Sequence, residues 1–293
     1  MSTNANSNNY VGVGKRFIIP GVPHVPVTCP FVNAQAQTYW NALTVANGGV
    51  EIDGALYGIS TCQLKQAIDT WFIDITTAGG AFAAVYPYIG STAATQAINA
   101  VNPGTYNLLF TGGTHTSLGT NFDGLSDFAD TQYLASSLLP ADMHISARYT
   151  RFSGTFTPGT LIGSSNGVGP GSDETNIDFI PLTTSLSSAL YRNGSLTSDI
   201  SYTPASSTAF SIAARPSIIS MILTQNSVTV GTALGPYSGT PPAYSIYISA
   251  RNQGIFGAQR FVKTRMSFNS IGEYMNEGSL TSITNALMTT LGR

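Results

Sequence analysis

Apolar positions along this chain keep two rhythms. Between Ser60 and Ala78, Leu64, Ile68, Trp71, Phe72 and Ile75 fall at i, i+4, i+7, i+8 and i+11, one stripe of a 3.6-residue period. Ser60 with Gln63 three residues later matches a capping box, and Gly79-Gly80 supplies a stop. The spacing predicts a helix there, packed on a sheet. After Gly104 the pattern shifts to short alternating runs punctuated by Gly, Asn, Pro, Ser and Asp: YNLLFTG, MHISARYTRFSG, GTLIGS, IDFIPLT, SALYRNGS, FSIAARP, SIISMILTQNSVTVG, YSIYISARNQG and RMSFNSIGE. In two of them alternation sets Ile145, Ala147 and Tyr149 inward against His144, Ser146 and Arg148, and Ile246, Ile248 and Ala250 inward against Ser245, Tyr247 and Ser249. So many strands at this spacing predict an all-β sandwich or barrel. Asn193-Gly194 is a hairpin signal. Helical periodicity returns only at Leu280, Ile283, Leu287 and Leu291, with Ser279 able to cap the start and Gly292 the end. This tail is expected to fold back and close the sandwich.

Ahead of the first helix the pattern is irregular. Residues 1 to about 10 are Ser/Asn-rich, and Pro20, Pro23, Pro26 and Pro30 oppose helix and favour extended geometry. Small residues and glycines dominate from Asn41 to Gly58. The organisation expected is an extended N-terminal arm or strap over 1–58 serving assembly, a helical lead-in over 59–104, and a sandwich closed by a helix over 105–293.

Composition narrows the function classes. Lys and Arg total 12 against 14 Asp and Glu, only 9 % of the chain is charged, and no basic run exists to displace counterions from nucleic acid. Nucleic-acid binding is disfavoured. A surface so poor in charge has weak colloidal protection, which points to coverage by partners and a homo-oligomer. No apolar run approaches a membrane span and no secretory signal is visible, so synthesis in a cytoplasm is expected. Cys29 and Cys62 are 33 apart with no CxxC and no neighbouring His, which predicts buried free thiols and no metal site.

Four pieces occur in order: YNLLFTGGTHTSLGTNFDGLSDFADT; ADMHISARYTRFSG followed by TLIGSSNG; YSIYISARNQG; and SFNSIGE with the closing TTLGR. A helix and the phrase VYPYIG, Val85 to Gly90, precede them. Together they resemble the concanavalin A-like (laminin G-like) lectin/glucanase jelly-roll domain of bacteriophage virion structural proteins. The likeness runs from about Ile59 to Arg293 and leaves the first 50 residues outside it. It implies a jelly-roll sandwich and a virion location (tail, fibre or spike, or capsid surface). It also implies other virion proteins as partners and a bacterial surface polysaccharide as ligand.

Candidate chemistry follows from this reading. Glycan-cleaving enzymes of this fold need paired carboxylates, one to protonate the leaving oxygen and one to attack or activate water. The chain has only Glu51, Glu174, Glu273 and Glu277, and none forms a Glu-x-Asp-x-x-Glu run. Glu273 and Glu277 are expected on a solvated loop before the last helix. Asp123, Asp127 and Asp130, and Asp173, Glu174 and Asp178, lack the calcium-loop register and read as turn residues. His24, His115 and His144 have no sequence-marked nucleophile beside them. No catalytic residue, metal ligand or cofactor is therefore expected. A glycan site needs aromatic faces for the apolar side of a sugar and amides for its hydroxyls; Tyr191, Asn193, Tyr237, Tyr244, Asn252 and Gln253, in or near turns, are the candidates. A purely structural capsid or tail component without ligand, and a glycan-cleaving enzyme of the same fold, remain open as alternatives.

Overall fold

A computed structural model describes residues 29–139, 141–152, 159–167, 173–179, 186–193, 200–202, 208–234 and 241–293. Its strands form two antiparallel-dominated sheets, a jelly-roll-like β-sandwich with flanking helices. In the first, neighbours run Val228–Leu234, Ser220–Gln225, Thr208–Ser217, Met143–Arg151, Thr264–Gly272, Gly119–Asn121 and Thr114–Thr116, with Phe82–Tyr86 also on Thr264–Gly272. In the second they run Ile200–Tyr202, Leu186–Asn193, Asp173–Phe179, Thr160–Ser165, Ser245–Ile248, Phe128–Leu134 and Leu109–Thr111. The apolar members of the alternating strands meet between the sheets: Ile145, Ala147, Tyr149, Ala213, Met266 and Ile271 from one, Ala129, Ile162, Ile177, Ile246 and Ile248 from the other.

Among the described residues four α-helices flank the strands: α1 (Ala34–Ala46), α2 (Thr61–Thr77), the short α3 (Ala93–Gln96) and α4 (Glu277–Thr290). The stripe on α2 is buried as its spacing requires, and Trp71 meets the strand residue Phe268 edge-on at 6.2 Å between ring centroids. Leu280, Leu287 and Leu291 are buried too, in a second core that α1, α2 and α4 share with Phe210, Ile212, Ala214 and Phe268 of the first sheet. The molecule is thus three-layered on one side, helices on sheet on sheet. That layering overturns one expectation. His144 and Ser146 are fully buried and Arg148 is half-buried, because the face they occupy meets helices instead of water.

Three further expectations are corrected. Within the expected 1–58 arm, α1 forms over Ala34–Ala46: Asn33 caps it, accepting from Gln35 and Ala36 N–H, while Ala36, Tyr39, Trp40 and Leu43 bury one stripe. Residues 1–28, including the prolines at 20, 23 and 26 and His24, lie outside the described residues. Cys29 and Cys62 are not free thiols but a disulfide with Cα atoms 5.5 Å apart, which fastens the chain ahead of α1 to the first turn of α2. At α4 the cap is Asn276, whose side chain accepts from Ser279 N–H, so Ser279 lies inside the helix and Glu277 opens it. The Asn193-Gly194 turn falls at the edge of the described residues, although the strands flanking it do pair antiparallel.

The Ser60/Gln63 box is present in full: Ser60 Oγ accepts from Gln63 N–H at 3.2 Å, and Gln63 Oε1 accepts from Ser60 N–H at 2.9 Å. Ser60→Ala is expected to cost about 1 kcal/mol. Urea unfolding should register this as a lower midpoint at unchanged slope.

Candidate functional site

Helices cover the outer face of the first sheet, whereas among the described residues no helix lies on that of the second. Alternation then decides what this open face carries. On the strand Phe128–Leu134, Ala129 and Thr131 are buried while Phe128 and Asp130 are half-exposed; on Ser245–Ile248, Ile246 and Ile248 are buried while Ser245 and Tyr247 are half-exposed. Tyr247 pairs in register with Asp130, and Phe128 stacks on Tyr247 with centroids 4.7 Å apart and planes at 23°. Phe261 adds a third ring 6.3 Å from Phe128. Partial burial, then the Asp130 charge, pushes the Tyr247 hydroxyl above its ordinary pKa, so it stays a neutral hydrogen-bond donor. On the other side of Tyr247 its partner is Gly163, which contributes no side chain and leaves the face recessed beside the rings.

A cleft of about 380 Å³ lies at the edge strands of the first sheet, lined by Thr114 and Asn121 with Phe122, Asp123, Asp127, Phe152 and Lys263; Asp127, the residue before Phe128, links it in the chain to the ring pair. A compact loop shapes it. Asp123 Oδ1 accepts N–H bonds from Leu125 at 2.7 Å, Ser126 at 2.9 Å and Asp127 at 3.0 Å, and Asp127 Oδ2 accepts from Asp123 N–H at 3.1 Å. Gly124 holds φ at +77°, and a Cβ there would stand 2.7 Å from the Lys263 backbone nitrogen, so both conformation and space call for glycine. Burial pushes the Asp123 carboxyl up, but the bonds from Ser126, Leu125 and Asp127 outweigh it and hold the pKa below the usual carboxylate range. Asp123 therefore stays ionised at neutral pH, an acceptor and a poor proton donor. The Asn121 side-chain oxygen is buried without a hydrogen-bond partner among the described residues, an acceptor unused by the fold. The cleft combines carboxylates, an amide, a hydroxyl and an ammonium group with two aromatic walls.

The residues singled out in the sequence are dispersed. Tyr244, Asn252 and Gln253 come together at one turn, where the Tyr244 ring packs so closely over Gly254 that a Cβ would lie 2.3 Å from it. The two amides are engaged locally. Asn252 Nδ2 donates to Ser245 O at 3.0 Å, its Oδ1 accepts from Gly254 N–H at 3.0 Å, and Gln253, with its amide oxygen turned to Arg251, accepts from that guanidinium at 2.6 and 3.2 Å. Tyr191 and Asn193 belong to the strand Leu186–Asn193, three strands away from Ser245–Ile248 in the sheet, and their side chains are not among those described; Tyr237 lies outside the described residues. Phe128, Phe122, Asn121 and Lys263 were not singled out, though alternation marked Tyr247 as outward-facing.

The other acidic residues and histidines weighed in the sequence lie as follows. Asp127 and Asp123 form the loop as turn residues, as expected, whereas Asp173, Glu174 and Asp178 belong to the strand Asp173–Phe179 and not to a loop. Glu277, expected in solvent, is buried in the first turn of α4, and burial raises its carboxyl pKa despite hydrogen bonds from its own N–H and Tyr274. His115 lies 2.9 Å from Gln96 Oε1 and edge-on to Phe110. No group of three or more His, Cys, Asp or Glu is placed to hold a metal among the described residues. Nor is any described helix long and apolar enough to cross a membrane.

No protein-family model matches the sequence, nor does any curated protein. Solved structures do match. The botulinum neurotoxin type C structure, from work reporting that its cell entry depends on interaction with two ganglioside molecules, aligns at TM-score 0.52 and 10 % identity, covering 73 % of this chain and 53 % of that one. A Trypanosoma rangeli sialidase mutant displaying trans-sialidase activity aligns at TM-score 0.52 and 10 % identity, covering 80 % of this chain and 40 % of that one. The binding domain of botulinum neurotoxin serotype D/C gives 0.51 and 11 %, covering 71 % and 52 %. What they share with this chain is the sandwich. This chain spans about half or less of their length.

Proposed function

We propose that this chain is a glycan-binding β-sandwich without catalytic activity, carried on the surface of a bacteriophage particle as a structural component. The observation that supports it best is the asymmetry of the two sheets. One outer face is sealed by helices and the other presents the stacked Phe128 and Tyr247 rings, while a polar cleft at the first sheet's edge is lined by Asp127, the residue before Phe128; apolar planes and oriented hydrogen-bonding groups are what a saccharide's two-sided chemistry requires. The ganglioside dependence and sialidase activity named for the structural neighbours agree with this reading. Binding is favoured over cleavage because a glycosidase needs a carboxyl kept protonated at its cleft. Asp123 is held ionised, and Glu277, whose pKa is raised, is buried in the first turn of α4 and does not line the cleft. The virion setting rests on the sequence resemblance and the charge-poor surface, and an antibody to this chain should decorate intact particles.

An array of bacterial surface polysaccharides tests the binding role. The full chain should retain at least one saccharide, and the double variant Phe128→Ala/Tyr247→Ala should bind it about tenfold more weakly or worse, a loss of at least ~1.4 kcal/mol, while melting like the parent. Retention of no saccharide, or equal binding by the double variant, would overturn the assignment.

A further inference from the structure

A cavity of about 280 Å³ takes its walls from both sheets. Phe82, paired in register with Gly272, comes from the first sheet and Tyr133 from the second. Leu138 and Asp142 come from the connection between Phe128–Leu134 and Met143–Arg151, and Glu273 follows Gly272 directly. The cavity shares no lining residue with the cleft at Asp123, and neither Phe128 nor Tyr247 reaches it. We propose that it binds an organic ammonium group, held by the Asp142 and Glu273 carboxylates against the Phe82 and Tyr133 rings.

The walls are fixed by the fold. Phe82 meets the buried His144 ring edge-on at 5.3 Å between centroids, and Tyr133 meets Tyr106 edge-on at 5.1 Å. Asp142 Oδ1 accepts from Tyr274 N–H at 2.7 Å, which orients that carboxylate. The Glu273 backbone is tied on both sides, its N–H donating to Ala81 O at 2.9 Å and its carbonyl accepting from His144 Nδ1 at 2.6 Å. Neither carboxylate forms an ion pair among the described residues. Burial, then Tyr106 and the Glu273 charge, push the Tyr133 hydroxyl above its ordinary pKa, so that wall stays neutral.

Charge and composition select the ligand. An anion would meet two carboxylates with no Lys or Arg in the lining, and a neutral ligand would leave both without a counter-charge. Calcium takes about six to eight oxygens, which a lining so rich in aromatic and aliphatic groups does not offer. An ammonium group donates N–H bonds to both carboxylates and is attracted to the aromatic faces. The volume is at the low end for ligand pockets, roughly 300–1,000 Å³, so it suits an amine built on a single six-membered ring.

Cyclohexylamine and cyclohexanol share that ring and differ in the charged group, so an NMR titration of the full chain at pH 7 and low salt provides the test. The amine should bind saturably and at least about tenfold more tightly than the alcohol. Glucosamine beside glucose distinguishes the source: binding of glucosamine as well as cyclohexylamine supports an amino sugar, and binding of cyclohexylamine alone supports a free amine. Glu273→Gln, at an exposed position, should weaken amine binding about tenfold. Asp74→Asn, which removes the same charge outside the cavity, should leave it unchanged. Melting curves of both variants check that the fold is kept. Equal binding of amine and alcohol, no binding of either amine, or equal effects of the two substitutions would overturn the proposal. None of these results bears on saccharide binding at Phe128 and Tyr247, which has its own test.

Discussion

Replacing Arg293 with alanine should lower the melting temperature by roughly 10 °C, corresponding to about 3–5 kcal/mol in a chain of this size. The guanidinium is buried beneath the layer that joins α4 to the sandwich. Its Nε donates to Ser117 O at 2.8 Å, Nη1 to Pro87 O at 2.9 Å and Nη2 to Tyr88 O at 2.8 Å, while the group sits 5.4 Å from the Tyr57 ring centre. Arg148 completes the arrangement by donating to Arg293 O at 3.2 Å and to Asn285 of α4. Burial draws the Arg293 pKa down, and the neighbouring Tyr57 and Tyr39 partly restore it. Alanine would leave three carbonyls from two separate loops without this donor and withdraw the anchor of the last helical turn. Lysine should restore only part of the loss, since an ammonium cannot reproduce the planar fork. Differential scanning calorimetry reads the result, and an Arg293→Ala shift of a degree or less would show that the carbonyls find other donors.

Acid should unfold the protein through His144. The ring is fully buried: Nδ1 donates to Glu273 O at 2.6 Å, so Nε2 is left to accept the Ser270 hydroxyl at 2.9 Å, and Ser146 lies 2.6 Å from Ser270. Burial lowers the pKa from 6.5 to about 4, although the Glu273 carbonyl and the Asp142 charge work against it. The folded state thus binds fewer protons than the unfolded state between these values. The contribution is fully present above about pH 6.5 and is lost as pH falls toward 4, amounting to about 3 kcal/mol across the window. Glu277, whose pKa is raised, works in the opposite sense, favouring the folded state at lower pH. The comparison with His144→Gln isolates the histidine: the variant should be less stable at pH 7, and its stability should depend less on pH from 6.5 to 4. Parallel stability curves for the two proteins in urea would contradict the argument.

How much of this was legible in the sequence differs from element to element. α2 could be read because its stripe and capping box are both strong local signals, and the sandwich because alternation repeats in many strands. α1 carries the same i, i+3, i+4, i+7 pattern at Ala36, Tyr39, Trp40 and Leu43, but the surrounding Asn, Thr, Ala and Gly residues masked it. The disulfide was not legible, since spacing of 33 says nothing about proximity. Nor was the burial of His144 and Ser146, because alternation assigns a side chain to a face but does not reveal what covers that face. The candidate site has the same limitation. Phe128 and Tyr247 stack only because their strands are neighbours in the sheet, and cross-strand register over more than a hundred residues leaves no local trace. The turn residues Tyr244, Asn252 and Gln253 had the expected chemistry, yet the amides serve the turn itself.

The central claim is that helices seal one sheet and leave the other to ligands. Hydroxyl-radical footprinting of the full chain, with and without a saturating polysaccharide selected from the array, tests it most directly. The account predicts protection at Phe128, Tyr247 and Phe261, with Trp40 and Trp71 unchanged. Protection confined to the helical layer, with Phe128 and Tyr247 oxidised as in the free protein, would contradict it.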